Sequence, residues 1–208
     1  MKATSAAKGC LMNEQRTISE NVGRAFSMPK ALTITFRTSS LTNAFVAALL
    51  PNIEPKTNEV AQVLDILEID PDNLTCAYCG DKATEWEHLH PIVKGRFPTG
   101  YPSSIRNLVP SCGKCNQSKG GKEWRHWIVS AAPLSPKSRG VKDLDKRIAR
   151  IEAYEKWANC CPIPIREIIG ESAYIEYFGK LEHIVEEMQQ AQKMADILKA
   201  RIGETLNQ

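Results

Sequence analysis

The sequence predicts an α+β chain that is mostly helical. Three observations carry this. Apolar residues recur every three or four positions over several long stretches, as on a helix face. Leu32, Ile34 and Phe36 alternate with polar neighbours, as a short strand requires. Two Cys-x-x-Cys pairs frame a central block.

Residues 1–30 mix small, polar and charged residues and read as a flexible arm. Residues 31–36 carry the alternation. Ser39 or Ser40 then suits the cap of a helix running to Leu50, where Pro51 stops it. In residues 57–69, Val60, Val63, Leu64 and Leu67 make one apolar stripe, and Pro71 follows. Residues 131–140, with Pro133, Pro136 and Gly140, read as a linker or surface loop. Residues 142–158 form an amphipathic helix, with Leu144, Ile148, Ile151, Tyr154 and Ala158 on one side. From about residue 172 to 206 a long helix is expected. Its apolar residues at Tyr174, Tyr177, Leu181, Ile184, Met188, Ala191, Ala195, Leu198 and Ile202 keep a heptad rhythm. Phe178 and Val185 widen the upper half of this stripe, as packing against more than one neighbour, the 142–158 helix among them, would require. The lower half fits either a homodimer seam or a fold-back on its own domain. The organisation expected is an N-terminal helical region, 1–71, a central block, 72–130, and a C-terminal helical region, 131–208.

No run reaches the ~20 apolar residues of a membrane span, and no signal-peptide pattern opens the chain. No membrane partner is therefore expected, and the location expected is cytoplasmic. The net charge is +3 but uneven. Residues 91–142 hold 10 Lys and Arg against 1 acidic residue, a local +9, between two segments of −3 each. A basic middle of this kind suits a polyanion surface; a solvated face without a partner is the plainer alternative.

Cys76-Ala-Tyr-Cys79 and Cys112-Gly-Lys-Cys115 are separated by 32 residues. Two intervening residues let a pair of thiolates turn onto one ion, and Gly80 supplies the turn. Four thiolates suit tetrahedral Zn²⁺ in a closed, structural site. Disulfides fit a reducing compartment poorly. Cys10, Cys160 and Cys161 show no metal-site spacing.

Between the pairs lie Glu87-His88-Leu89-His90-Pro91, then Asn107-Leu108-Val109, and Asn116 directly after Cys115. A carboxylate beside a histidine, with a later amide and nearby lysines, supplies the parts for metal-assisted phosphodiester hydrolysis. Oxygen donors suit Mg²⁺ or Mn²⁺, and a neutral imidazole can take a proton from water. The combination resembles the HNH, or ββα-metal, nuclease family in its zinc-braced form, over about residues 74–128.

The resemblance implies that Glu87 and Asn116 bind the divalent metal, that His88 is the general base, and that Asn107 holds it in orientation. It implies a strand near residues 84–90, a second near 108–110 and a helix from about 114 through 127. The block 72–130 would then be the nuclease core. The activity implied is metal-dependent DNA cleavage to 5′-phosphate and 3′-hydroxyl ends, with restriction or phage defence as the setting. Lys94, Arg96, Arg106, Lys119, Lys122 and Arg125 are the expected phosphate contacts. His90 is either an auxiliary to the base or a satisfied structural histidine, and Trp124 and Trp127 read as core. A non-catalytic, zinc-dependent nucleic-acid-binding module is the alternative function.

Overall fold

A computed structural model describes residues 27–206. The chain divides into two units, residues 1–34 and 35–208. After a 3-10 turn at Ile34–Arg37, the second unit runs through helix α1 (Thr38–Leu49), strand β1 (Asn52–Ile53) and helix α2 (Thr57–Ile66). Strands β2 (Glu85–His88), β3 (Val93–Lys94), β4 (Phe97–Pro98), β5 (Ser103–Ser104) and β6 (Leu108–Ser111) come next. The chain ends in helices α3 (Gly113–Lys119), α4 (Trp124–Ile128), α5 (Leu144–Ala158), α6 (Ile165–Ile169) and α7 (Glu171–Leu206).

The strands make three separate two-stranded pairs. β2 runs antiparallel to β6, with Glu87 opposite Val109 and His88 opposite Leu108. Helix α3 starts two residues after β6 ends. β3 and β4 form a hairpin turning at Gly95, and β1 lies parallel to β5.

The alternation at residues 31–36 does not make a strand. Thr38 Oγ1 donates to Thr35 O at 2.8 Å and Thr42 Oγ1 to Thr38 O at 3.0 Å, so local hydroxyl bonds favour helical turns here. The helix expected over 114–127 is broken in two. Gly120 takes φ +48°, and Glu123 restarts the helix by accepting from His126 N at 3.0 Å.

One core joins Leu64 and Leu67 of the α2 segment, Leu89 and Val109 around the β2–β6 ribbon, Trp124 and Trp127 of α4, and Ile151 and Tyr154 of α5. Both Trp side chains are buried, as their spacing suggests. A second core packs Phe178, Leu181 and Val185 of α7 on Val46 and Leu50 of the α1 segment and on Ile165. The upper half of α7 therefore meets α1 and α6, not α5 as the stripe suggested. Residues 131–140 are a hydrogen-bonded loop with Ser135 fully buried, more ordered than a linker. No helix among the described residues is long and apolar enough to cross a membrane.

Candidate active site and metal centre

The cysteine cluster is built from a knuckle and a helix start. The Thr75–Lys82 bridge closes the first loop, Gly80 takes φ +81°, and Gly80 N donates to Cys76 O at 2.8 Å. Cys112 caps α3 and Cys115 lies one turn in. The four sulfurs lie within 4.8 Å of one another, and those of Cys79 and Cys112 are 3.6 Å apart. A tetrahedron with Zn–S near 2.3 Å has edges of about 3.8 Å, so donors and spacing fit such an ion, and the cluster could hold a metal. Crowding splits the thiols: hydrogen bonding with Cys115 pulls Cys76 down to about 3, and Cys115 is pushed far up by its bond to Cys76.

Glu87, His88 and Asn116 line one open cleft of about 280 Å³, with Trp86, Pro91 and Gly121 among its walls. Adjacent strand residues point to opposite faces. Glu87 accordingly turns inward and is 6% exposed, whereas His88 is half-buried. Both Glu87 oxygens are engaged. Oε2 accepts from the Tyr78 hydroxyl at 2.7 Å and Oε1 from Lys119 Nζ at 2.6 Å. Burial raises the Glu87 carboxyl above its ordinary range against the pull of Lys119, and burial lowers the Lys119 ammonium against the pull of Glu87.

His88 Nε2 lies 3.1 Å from Ser103 Oγ, and its backbone carbonyl accepts from Lys119 Nζ at 2.8 Å. Burial, then the Lys119 charge, lowers its pKa from 6.5, so the ring is neutral at pH 7. Asn107 is fully buried and ties down the chain just past His88. Its Oδ1 accepts from His90 N at 2.8 Å, and its Nδ2 donates to His90 O and Pro102 O at 3.0 and 3.1 Å.

Asn116 Nδ2 donates to Glu85 Oε2 at 2.8 Å, a bond that leaves its amide oxygen unused. Each Glu87 oxygen keeps a second lone pair. Mg²⁺ retains several waters and needs only one or two protein carboxylates. A hard divalent cation at Glu87 would have to share the carboxylate with both Lys119 and Tyr78.

The expected phosphate contacts separate into two groups. Lys94 and Arg96 are exposed on the β3–β4 hairpin, and Lys122 is exposed with its Nζ 2.7 Å from Ser118 O. The other three are spent within the fold. Lys119 is fully buried on Glu87. Arg106 stacks on Trp157 and bonds Ala158 O and Glu59. Arg125 stacks on Trp124 and pairs with Glu152 and Glu155. His90 stacks on Tyr101 at 4.4 Å and sits 3.2 Å from Glu155, outside the residues lining the cleft, which is the structural reading of that histidine.

Tyr78, Glu85 and Ser103 are site residues that the sequence does not single out, and Lys119 turns inward instead of toward a phosphate. The inward turn of Lys119 has a signal: it follows Cys115 by four residues, so it shares the face that carries the buried cysteine. Nothing local marks Ser103, whose strand is held by pairing with β1 and by Asn107 bonds to Pro102 O and Ser104 O.

Residues 76–122, which contain both cysteine pairs and the whole cleft motif, match the HNH endonuclease family. The chain carries an HNH endonuclease domain. Over 68 residues it is also 34% identical to the CRISPR-associated endonuclease Cas9 of Corynebacterium diphtheriae, a stretch covering 31% of this chain and 6% of that protein. The chain thus corresponds to a small part of this relative. No solved structure matches it. The HNH domain points to an endonuclease, and α2 and α5, outside the matched residues, share its core.

Proposed function

We propose that this chain is a divalent-metal-dependent endonuclease that hydrolyses DNA phosphodiester bonds to 5′-phosphate and 3′-hydroxyl ends, with a role in restriction or phage defence. The carrying observation is that His88, half-buried and bonded to Ser103, lines one open cleft with Glu87 and Asn116. The named relative is itself an endonuclease, which supports cutting over passive binding.

His88 takes a proton from the attacking water, with Ser103 holding the imidazole and Asn107 fixing the backbone behind it. Glu87 and Asn116 would hold Mg²⁺ or Mn²⁺, and Tyr78 and Lys119 fix the carboxylate. Such an ion, when bound, would supply charge neutralisation at the phosphate and the departing 3′ oxygen. Lys94, Arg96 and Lys122 position the phosphate backbone without reading sequence. The four cysteines hold a structural zinc. One such site cuts one strand, and the exposed Met194, Leu198 and Ile202 of α7 offer a seam for a second copy; a monomer by light scattering, with and without DNA, would remove that part of the proposal.

The test of the chemistry is plasmid cleavage. The purified protein should cut with Mg²⁺ or Mn²⁺ and stop with EDTA. His88→Ala should abolish cutting with zinc content and helix content unchanged. Cutting at the normal rate by His88→Ala would refute the assignment, and DNA binding without cutting by the wild type would favour the non-catalytic module.

A further inference from the structure

Arg139 bonds the cysteine cluster and Arg147 lies beside its first knuckle, and the cleft uses neither. Arg139 Nη2 donates to Cys115 Sγ at 2.9 Å and its Nη1 to Asp81 Oδ2 at 3.3 Å. The loop that delivers it is firmly built. Ser135 Oγ donates to Ser130 O at 2.7 Å, Ser138 N donates to Ser135 Oγ at 3.2 Å, and Ser138 Oγ donates to Ala132 O at 2.9 Å. Arg147 comes from the first turn of α5, and its guanidinium lies over Gly80, the residue after Cys79. A Cβ on Gly80 would stand 2.3 Å from Arg147 Nη2. The Nε atoms of both arginines are buried without a hydrogen-bond partner.

Both arginines are half-buried, and a buried donor left unused is costly unless an anion nearby compensates. Four thiolates around a divalent ion carry a net charge of −2; the two guanidiniums carry +2, part of which Arg139 shares with Asp81. We propose that Arg139 and Arg147 are the counter-charge of the Cys₄ metal, and that they retain the ion and protect its thiolates from electrophiles. This role rests on the zinc reading of the cluster. Charge donated by N–H groups to thiolate sulfur stabilises the dianionic complex and makes the sulfur a poorer nucleophile. Both arginines lie beyond the residues that match the family, so this chain's own C-terminal segment completes its metal centre. Groups around a metal's direct ligands typically change affinity by about 10–100-fold when removed.

The test begins with the zinc content of the full-length wild type. One zinc per chain is expected, and a protein without zinc would overturn the metal reading and this inference with it. The second measurement is zinc transfer to an excess of a chromogenic chelator, alongside iodoacetamide alkylation of the cysteines. Arg139→Gln and Arg147→Gln should each speed release and alkylation about tenfold or more. Arg139→Lys, which keeps the charge and loses the fork, should fall between wild type and Arg139→Gln and covers the case in which the glutamine variant does not fold. Zinc bound to the wild type, but rates within twofold of it in all three variants, would overturn the role of the arginines and leave the zinc site standing.

Discussion

The buried pair Lys119–Glu87 gives the sharpest test of how this cleft is held. Lys119 is fully buried and Glu87 nearly so, with 2.6 Å between Nζ and Oε1. Removing one partner leaves the other as an uncompensated buried charge, which costs about 3–5 kcal/mol. Lys119→Met keeps the volume of the side chain, strips Glu87 of its counter-charge, and also leaves the His88 carbonyl without its 2.8 Å donor. Glu87→Gln keeps an acceptor for Tyr78 but strands the ammonium. Each single variant should therefore lose about 3 kcal/mol or more. The double variant, which buries no charge, should lose at least about 2 kcal/mol less than the sum of the singles. Urea unfolding followed by Trp fluorescence, with zinc saturating and no Mg²⁺, measures all four corners of this cycle; Trp124 and Trp127 are the buried reporters. Single losses below about 1 kcal/mol, or losses that add within about 0.5 kcal/mol, would refute the claim that a compensated ion pair holds Glu87.

The proposed DNA contacts can be sorted by salt. Replacing Lys94 and Arg96 together by Ala should lower the slope of log affinity against log salt by about 2, whereas Arg125→Ala, whose guanidinium is already paired with Glu152 and Glu155, should leave it unchanged; equal slopes for both variants would show the sorting to be wrong. Gly100 has φ +90°, and an added Cβ would stand 2.4 Å from the Ile163 carbonyl. Gly100→Ala should cost roughly 2 kcal/mol or more, against about 1 kcal/mol for Gly140→Ala, where φ is also positive but the space is open; the same urea assay decides, and equal losses would mean that the close approach to Ile163 does not matter. His88 also leaves a mark on stability against pH. Its folded pKa lies below 6.5, so the unfolded chain protonates first as pH falls. Its contribution is complete above 6.5 and is lost as pH drops toward the lowered folded value. His88→Asn should flatten the stability curve just below pH 6.5, and an unaltered slope there would contradict the assigned burial.

What the sequence made legible was chemistry tied to close spacing. The two Cys-x-x-Cys pairs, the Glu87-His88 dyad and Asn116 beside Cys115 could be grouped because each is local and the matched family orders them. The helices α2, α5 and α7 were legible from their apolar stripes. The misses have other causes. The turn at Gly120 carries a local signal, the Gly120-Gly121 pair, which the single helix implied by the family resemblance overrode. The partner of α7 is set by docking of a distant helix, α1. Lys119, Arg106 and Arg125 look alike as charges in a basic block, yet only the fold shows three cations consumed by Glu87, Glu59 and the Glu152–Glu155 face. The segment 131–140 reads as a linker or surface loop from Pro133, Pro136 and Gly140, and residue type alone does not announce that its serines bond to backbone groups.

Helix α3 is seven residues long, far too short to persist by itself in water. It carries Cys112 and Cys115 at its start, Asn116 on its side and Lys119 at its end. Each residue of an α-helix advances about 100° around the axis, so the aim of Asn116 and of Lys119 follows from where the two cysteines are clamped. A slip of one residue at the sulfur cluster would swing the amide out of the cleft and pull the ammonium off Glu87. On the proposed function, a metal-clamped cysteine cluster would act as the angular setting of the cleft, whose accuracy would be inherited from a site outside the chemistry.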